Sequence, residues 1–119
     1  SMSVGKQIKS FKYAIHGINT FFKTERNGRI HLLAATATVI LGVYLGVDKT
    51  DWLWLSLAIT LVIVAEIINT AIEQVCNRIT TDQDEAIKDI KDISAGFVLI
   101  CAFFSVILGA IIFSPYLFN

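Results

Sequence analysis

Glu66, Asn69 and Glu73 interrupt a long apolar stretch, within Ala65-Glu66-Ile67-Ile68-Asn69-Thr70-Ala71-Ile72-Glu73. Their spacing of i, i+3 and i+7 puts all three on one face of a helix. Burying a carboxylate in apolar surroundings costs several kcal/mol, so a helix that only had to pack would not carry one. Such a carboxylate can take a proton from a hydroxyl. A second carboxylate a turn or two further on can hold Mg²⁺ together with a phosphate. Asn69, between them, can orient either partner. Lys91-Asp92 offers a cation for phosphate, and Glu25 offers a second metal ligand. Together these groups outline phosphoryl transfer to a hydroxyl. No Gly-rich phosphate loop is present, so a nucleotide site here is not of the P-loop kind. Two competing readings are structural. Glu66 can be a hydrogen-bonded acid between helices of an oligomer, and Glu73 can belong to a solvated face.

These residues need elements to position them, and the hydrophobic runs define those elements. Apolar residues make up 55% of the 119-residue chain, above the usual share for soluble domains. The length allows one domain, taken as 1–119. Ile93 to Asn119 carries no Asp, Glu, Lys or Arg, enough for a helix across the hydrocarbon core. Leu32 to Val47 is a second charge-free run, which Ile30, His31 and a snorkelling Arg29 extend. Trp52 to Ala65 is a third, and its apolar pattern continues through Glu66 and Glu73 to Ile79. The expected spans are 30–47, 52–79 and 93–118. Residues 3–24 read as an amphipathic helix, with Ile8, Phe11, Ile15, Ile18 and Phe22 at spacings of three and four. Lysines 6, 9, 12 and 23 suit anionic headgroups at a membrane surface. The fold class is therefore all-α and integral to the membrane, with a surface helix and three spans.

Finer expectations follow. Thr24 to Arg29 forms a charged hinge in which Gly28 permits a bend. Asp51 or Thr50 caps the second span, and Ser94 caps the third. Trp52 and Trp54 mark the outer aromatic belt. Thr80 to Asp92 is a polar loop with room for a short helix, and Pro115 falls where a helix break costs little. Measured from Trp52 at ~1.5 Å per residue, Glu66 lies roughly 21 Å inward and Glu73 roughly 31 Å. Glu66 is then inside the hydrocarbon and Glu73 at the opposite interface. Cys76 and Cys101 fit no disulfide or metal pattern and read as small apolar fillers. Ser1 ahead of Met2 reads as a tag scar, and no cleavable signal peptide is expected.

Net charge is zero, which argues against nucleic-acid binding. Its distribution is informative. Lys6, Lys9, Lys12, Lys23, Arg26 and Arg29 precede the first span, and Arg78, Lys88 and Lys91 lie between the second and third. Only Lys49, beside Asp48 and Asp51, lies between the first and second, and no basic residue follows the third. The positive-inside rule puts the N-terminus and the second loop in the cytoplasm of a multi-pass protein.

The chain resembles the bacterial membrane diacylglycerol kinase family, which includes the undecaprenol kinases. The run from Ala65 to Glu73 matches that family's A/V-E-x-x-N-[ST]-A-I-E signature. Phe22-Lys23-Thr24-Glu25-Arg26-Asn27, Arg29-Ile30-His31 and Lys91-Asp92 with Ser94-Ala95-Gly96 support the match. The resemblance implies a homotrimer in the bacterial inner membrane, with active sites shared between chains and MgATP bound on the cytoplasmic side. It implies ATP-dependent phosphorylation of a lipid alcohol, with Glu66 as general base. Glu25 and Glu73 hold the metal and phosphates, and Asn69 sits with them. Lys91 and Asp92 contact the nucleotide, joined by Lys6 and Tyr13 of the surface helix. From the residues alone, Tyr13 is equally an interfacial aromatic. The chain departs from the family at Asn77, where Asp is frequent, and at Asp82-Gln83-Asp84, where an acidic-x-His pattern is frequent. The string Thr24 to Asn27 leans toward the undecaprenol branch over the diacylglycerol branch. The rival reading is a non-catalytic or proton-conducting bundle that uses Glu66 and Asn69 as interhelical contacts.

The charge distribution generates a topological prediction. In a background with Cys76→Ala and Cys101→Ala, Thr50→Cys is labelled by a membrane-impermeant maleimide from outside the cell and Gln83→Cys is not. The reverse pattern would put Glu73 and Lys91 on the wrong side for cytoplasmic ATP.

Overall fold

Four helices account for almost all of residues 3–118, the part that the computed structural model describes. They are α1 (Val4–Thr24), α2 (Arg26–Leu45), α3 (Lys49–Ile79) and α4 (Glu85–Leu117). Ser1, read above as a tag scar, and Asn119 lie outside the described residues. Helices α2, α3 and α4 are each long and apolar enough to cross a membrane.

The most extensive contact is between α3 and α4. Small residues make it close: Ala58, Ala65 and Cys101 are buried along the seam. The Ser105 hydroxyl sits 3.1 Å from the Ala58 carbonyl across that seam and 3.0 Å from its own helix's Cys101 carbonyl. Without a hydrophobic drive between helices in lipid, close van der Waals contact and such bonds hold spans together. Cys76 and Cys101 are free and buried, as apolar fillers should be. The Asp48 end of the bundle is closed by Val47, Leu55 and Ile112, packed with Leu45, Trp52 and Phe113. There the Tyr116 hydroxyl donates to Asp51 Oδ2 at 2.9 Å, tying the last turn of α4 to the first of α3.

The ends of the helices differ from several expectations. The hinge before α2 is a single residue, Glu25, in extended conformation. Gly28 is inside α2, buried, and the helix runs on past it to Leu45. The Phe21 ring lies so close that an added Cβ would meet Phe21 Cε2 at 2.6 Å. Arg29 reaches back and donates to the carbonyls of Phe22 and Lys23 at 3.1 and 2.8 Å, satisfying the end of α1. Gly46 ends α2 in the left-handed conformation at φ 66°. Asp48, rather than Thr50 or Asp51, caps α3, its side chain accepting from Asp51 N at 2.8 Å. Trp52 is only half exposed and folds over Gly42 of α2, whereas Trp54 remains exposed.

The largest departure is at α4. Its helix begins at Glu85, capped by Asp84 accepting from Ile87 N at 3.0 Å, and runs unbroken into the third span. The polar segment therefore shortens to Thr80–Asp84. Ser94 caps nothing and is buried inside the helix. Pro115 sits in the final turns, and the helix continues to Leu117.

Gly42 supplies the test of this packing. An added Cβ would lie 2.6 Å from Trp52 Cη2, so Gly42→Ala should cost about 1–3 kcal/mol through overpacking. Gly17→Ala on α1 meets nothing within 4 Å, so it should be neutral or stabilising by about 0.4–1 kcal/mol. Unfolding of the two variants in mixed micelles by increasing SDS measures the difference.

Candidate active site

The polar face of α3 is turned inward. Ala65, Glu66 and Asn69 are buried, with Glu66 at 5% exposure, and Glu73 is half-buried. Two short hydrogen-bonded groups occupy this face, and each joins α3 to a different neighbour.

Glu66 is tied to α2. Its Oε1 lies 3.1 Å from His31 Nε2. An ionised carboxylate only accepts hydrogen bonds, so against it Nε2 carries the proton and donates. In the sequence His31 figured only as an extension of the first span and as one letter of a matching string. Its signal was present nonetheless: an ionisable ring at the start of an apolar span.

Asn69 is tied to α4. Its Nδ2 donates to Glu73 Oε1 at 3.2 Å, and its Oδ1 accepts from Ser94 Oγ at 2.7 Å. The chemistry fixes the direction of this chain. Glu73 as a carboxylate can only accept, so the amide must present its NH₂ to Glu73 and its oxygen to Ser94. Ser94 thereby sets the orientation of Asn69, a role that its reading as a helix cap concealed. No buried side-chain polar atom is left without a partner among the described residues.

Nearer the end of α3, Lys91 Nζ donates to Asn77 Oδ1 at 2.6 Å. Asn77 accepts without bringing a charge of its own. The two residues border an open cavity of about 810 Å³, which Thr80, Asp82, Asp84 and Lys88 also line. The acidic loop is thus beside Lys91. Asp92 turns to an exposed pair with Lys88 at 2.6 Å, and this i, i+4 contact stabilises little.

The other expected site residues stand apart from this line. Lys6 and Tyr13 are exposed on α1, and α1 packs chiefly against α2. Glu25 is half-buried at the hinge, and its carboxylate makes no capping bond. Among the described residues no hydrogen bond joins Glu25 to Glu73, and no group of three or more acidic, His or Cys side chains is poised for a metal. Mg²⁺ does not need one, since it binds through one or two carboxylates, phosphate oxygens and water. Glu73 fits that requirement: one oxygen is held by Asn69, and the other makes no hydrogen bond among the described residues.

Residues 12–113 match the family described as prokaryotic diacylglycerol kinase. Among curated proteins, the chain is 38% identical over 107 residues to an undecaprenol kinase of Bacillus subtilis (strain 168), covering 90% of this chain and 87% of that protein. It is 36% identical over 108 residues to a diacylglycerol kinase of Synechocystis sp., covering 89% of this chain and 61% of that longer protein. A diacylglycerol kinase of Escherichia coli (strain K12) is 30% identical over 105 residues, covering 88% and 86%.

The Ser94–Asn69 bond carries a measurable expectation. Interhelical hydrogen bonds in membranes couple their partners by about 0.6 kcal/mol and up to about 1.7. A double-mutant cycle of Ser94→Ala and Asn69→Ala, read by SDS unfolding, should return a coupling in that range. Strict additivity would show that the two side chains do not share a bond.

Proposed function

Because the chain belongs to the prokaryotic diacylglycerol kinase family and is a lipid kinase, we propose that it phosphorylates a membrane lipid alcohol from ATP at the cytoplasmic face, with Glu66 as general base. The observation that carries this reading is the burial of Glu66 on the inward face of α3, one helical turn from Asn69 and two from Glu73. A lipid's terminal hydroxyl can reach that depth, and a carboxylate there has little water to compete for its lone pairs. Undecaprenol is the favoured acceptor over diacylglycerol. The hinge string Thr24 to Asn27 supports it, and so does the likeness to the Bacillus subtilis protein.

In the reaction, the lipid oxygen attacks the γ-phosphorus of ATP. Its proton passes to Glu66, and the bond from the γ-phosphorus to the bridging oxygen breaks. Lipid phosphate and ADP are the products. Glu73 and Glu25 are the residues to hold Mg²⁺, and both offer the hard oxygen ligands it requires. When bound, Mg²⁺ neutralises charge on the phosphate oxygens. Asn69 keeps one Glu73 oxygen fixed. Lys91 meets the phosphate chain from α4, with Asp92, Lys6 and Tyr13 contacting the nucleotide. Glu25, Lys6 and Tyr13 belong to the α1–α2 side of the molecule, and Glu73 and Lys91 to the α3–α4 side. A homotrimer, in which neighbouring chains complete each other's sites, suits that separation. Exposed Leu99, Ile100 and Phe103 on α4 give it apolar surface to use. In this arrangement α1 lies on the cytoplasmic surface, with Ile8, Phe11, Ile15 and Ile18 toward the acyl chains.

Glu66→Gln keeps the size and much of the hydrogen bonding but removes the base. It should give folded protein of native oligomeric size that binds ATP and phosphorylates lipid about 10²–10⁴ times more slowly. Near-normal turnover would leave Glu66 as interhelical glue and end the base reading. Glu73→Gln should instead raise the KM for MgATP by on the order of tenfold and shift the Mg²⁺ dependence of the rate. An unchanged Mg²⁺ dependence would remove Glu73 from the metal site. Radiolabelled ATP against a panel of lipid alcohols identifies the acceptor.

A further inference from the structure

We infer that His31 is the residue that positions Glu66 for proton abstraction, an inference that rests on Glu66 being the base. A carboxylate has two oxygens and free rotation about its terminal bond. A base in that form presents its lone pairs in many directions, only some of which meet the substrate hydroxyl. The His31 bond removes that freedom. Nε2 lies 3.1 Å from Oε1, so Oε1 is occupied by a fixed donor and Oε2 remains to accept the proton. No second bond to Glu66 competes for Oε2 among the described residues. The imidazole is itself held at the right place by the fold. It stands in the second turn of α2, with its side chain 25% exposed while that of Glu66 is 7% exposed. Two features keep that turn of α2 in place. Arg29, two residues earlier, is bonded to the end of α1, and Gly28 packs under Phe21. The ring thus reaches from a braced helix into a site where water is scarce.

The same contact in a purely structural role would join α2 to α3 and nothing more. The two roles separate kinetically. A positioning donor acts on the chemical step, so its loss lowers kcat and leaves the KM for MgATP unchanged within about twofold. A misplacement of about 1 Å at a reacting group costs on the order of 10²-fold. His31→Leu should therefore lower kcat by about 10- to 100-fold. His31→Gln keeps an N–H donor at the reach of Nε2 and should recover most of that loss. His31→Asn, whose amide is one carbon shorter, should not.

The decisive experiment is a kinetic cycle of His31→Leu and Glu66→Gln, assayed with radiolabelled ATP and undecaprenol in micelles. If His31 acts through Glu66, His31→Leu has no further effect once Glu66→Gln is present. An equal loss in both backgrounds overturns the inference, because His31 then acts on something else. Native kcat in folded His31→Leu also overturns it, and leaves the role of Glu66 intact. Should Glu66→Gln retain native turnover, the base reading fails first and takes this inference with it. If His31→Leu yields no folded protein, the Gln and Asn variants carry the test, and equal rates in those two overturn the inference.

Discussion

Hydrocarbon offers a buried polar group no water, so every such group in this chain must find its partner on a neighbouring helix or its own. That requirement organises the bundle. Glu66 reaches His31 on α2, Asn69 reaches Ser94 on α4, and Ser105 reaches the Ala58 carbonyl of α3. Each bond crosses a different helix pair or level, and together they set the register of three rods that apolar packing alone would leave free to slide. The side chains proposed for chemistry are the same ones that satisfy this constraint. One Glu66 oxygen and one Glu73 oxygen make these bonds, and the other oxygen of each makes none among the described residues.

A second arrangement follows at the end of the bundle opposite Asp48. The break between α1 and α2 is one residue long, and Arg29 closes it by satisfying the last carbonyls of α1. Glu25 is therefore the hinge residue itself, and its carboxylate is spared from capping. Across the molecule, Lys91 leans on neutral Asn77. An aspartate there would compensate the ammonium. The amide holds the lysine in place without adding a charge of its own.

Much of this was legible in the sequence because lipid exposure is a composition rule. Charge-free runs announce spans, and the spacing of Glu66, Asn69 and Glu73 announces the one polar face of α3 that is turned inward. The limits of α4 were not legible from the same rule. Residues 85–92 are too polar to count as membrane span, yet helix formation there depends on the Asp84 cap and local propensity, which ignore hydropathy. The partners of the site residues were hidden for another reason. His31 and Glu66 are separated by 35 positions, and Asn69 and Ser94 by 25. Spacing along one helix tells which residues share a face. It does not tell which residue of another helix that face will meet. Ser94 shows the cost: a serine near an expected helix start reads as a cap, and only the earlier start of α4 turns it inward.

The unbroken helix from Glu85 to Leu117 has a mechanical consequence. Its 33 residues make a rod about 50 Å long, well beyond the ~30 Å of a bilayer core. The surplus extends beyond the span as a stiff lever carrying Lys88, Lys91 and Asp92, and α4 is unbroken between it and the span. A thinner bilayer tilts the span to hide its apolar length, and the lever must swing with it. Lys91 then moves relative to the Ile79 end of α3, so the thickness of the surrounding lipid is transmitted mechanically to the cavity that Lys91 and Asn77 border.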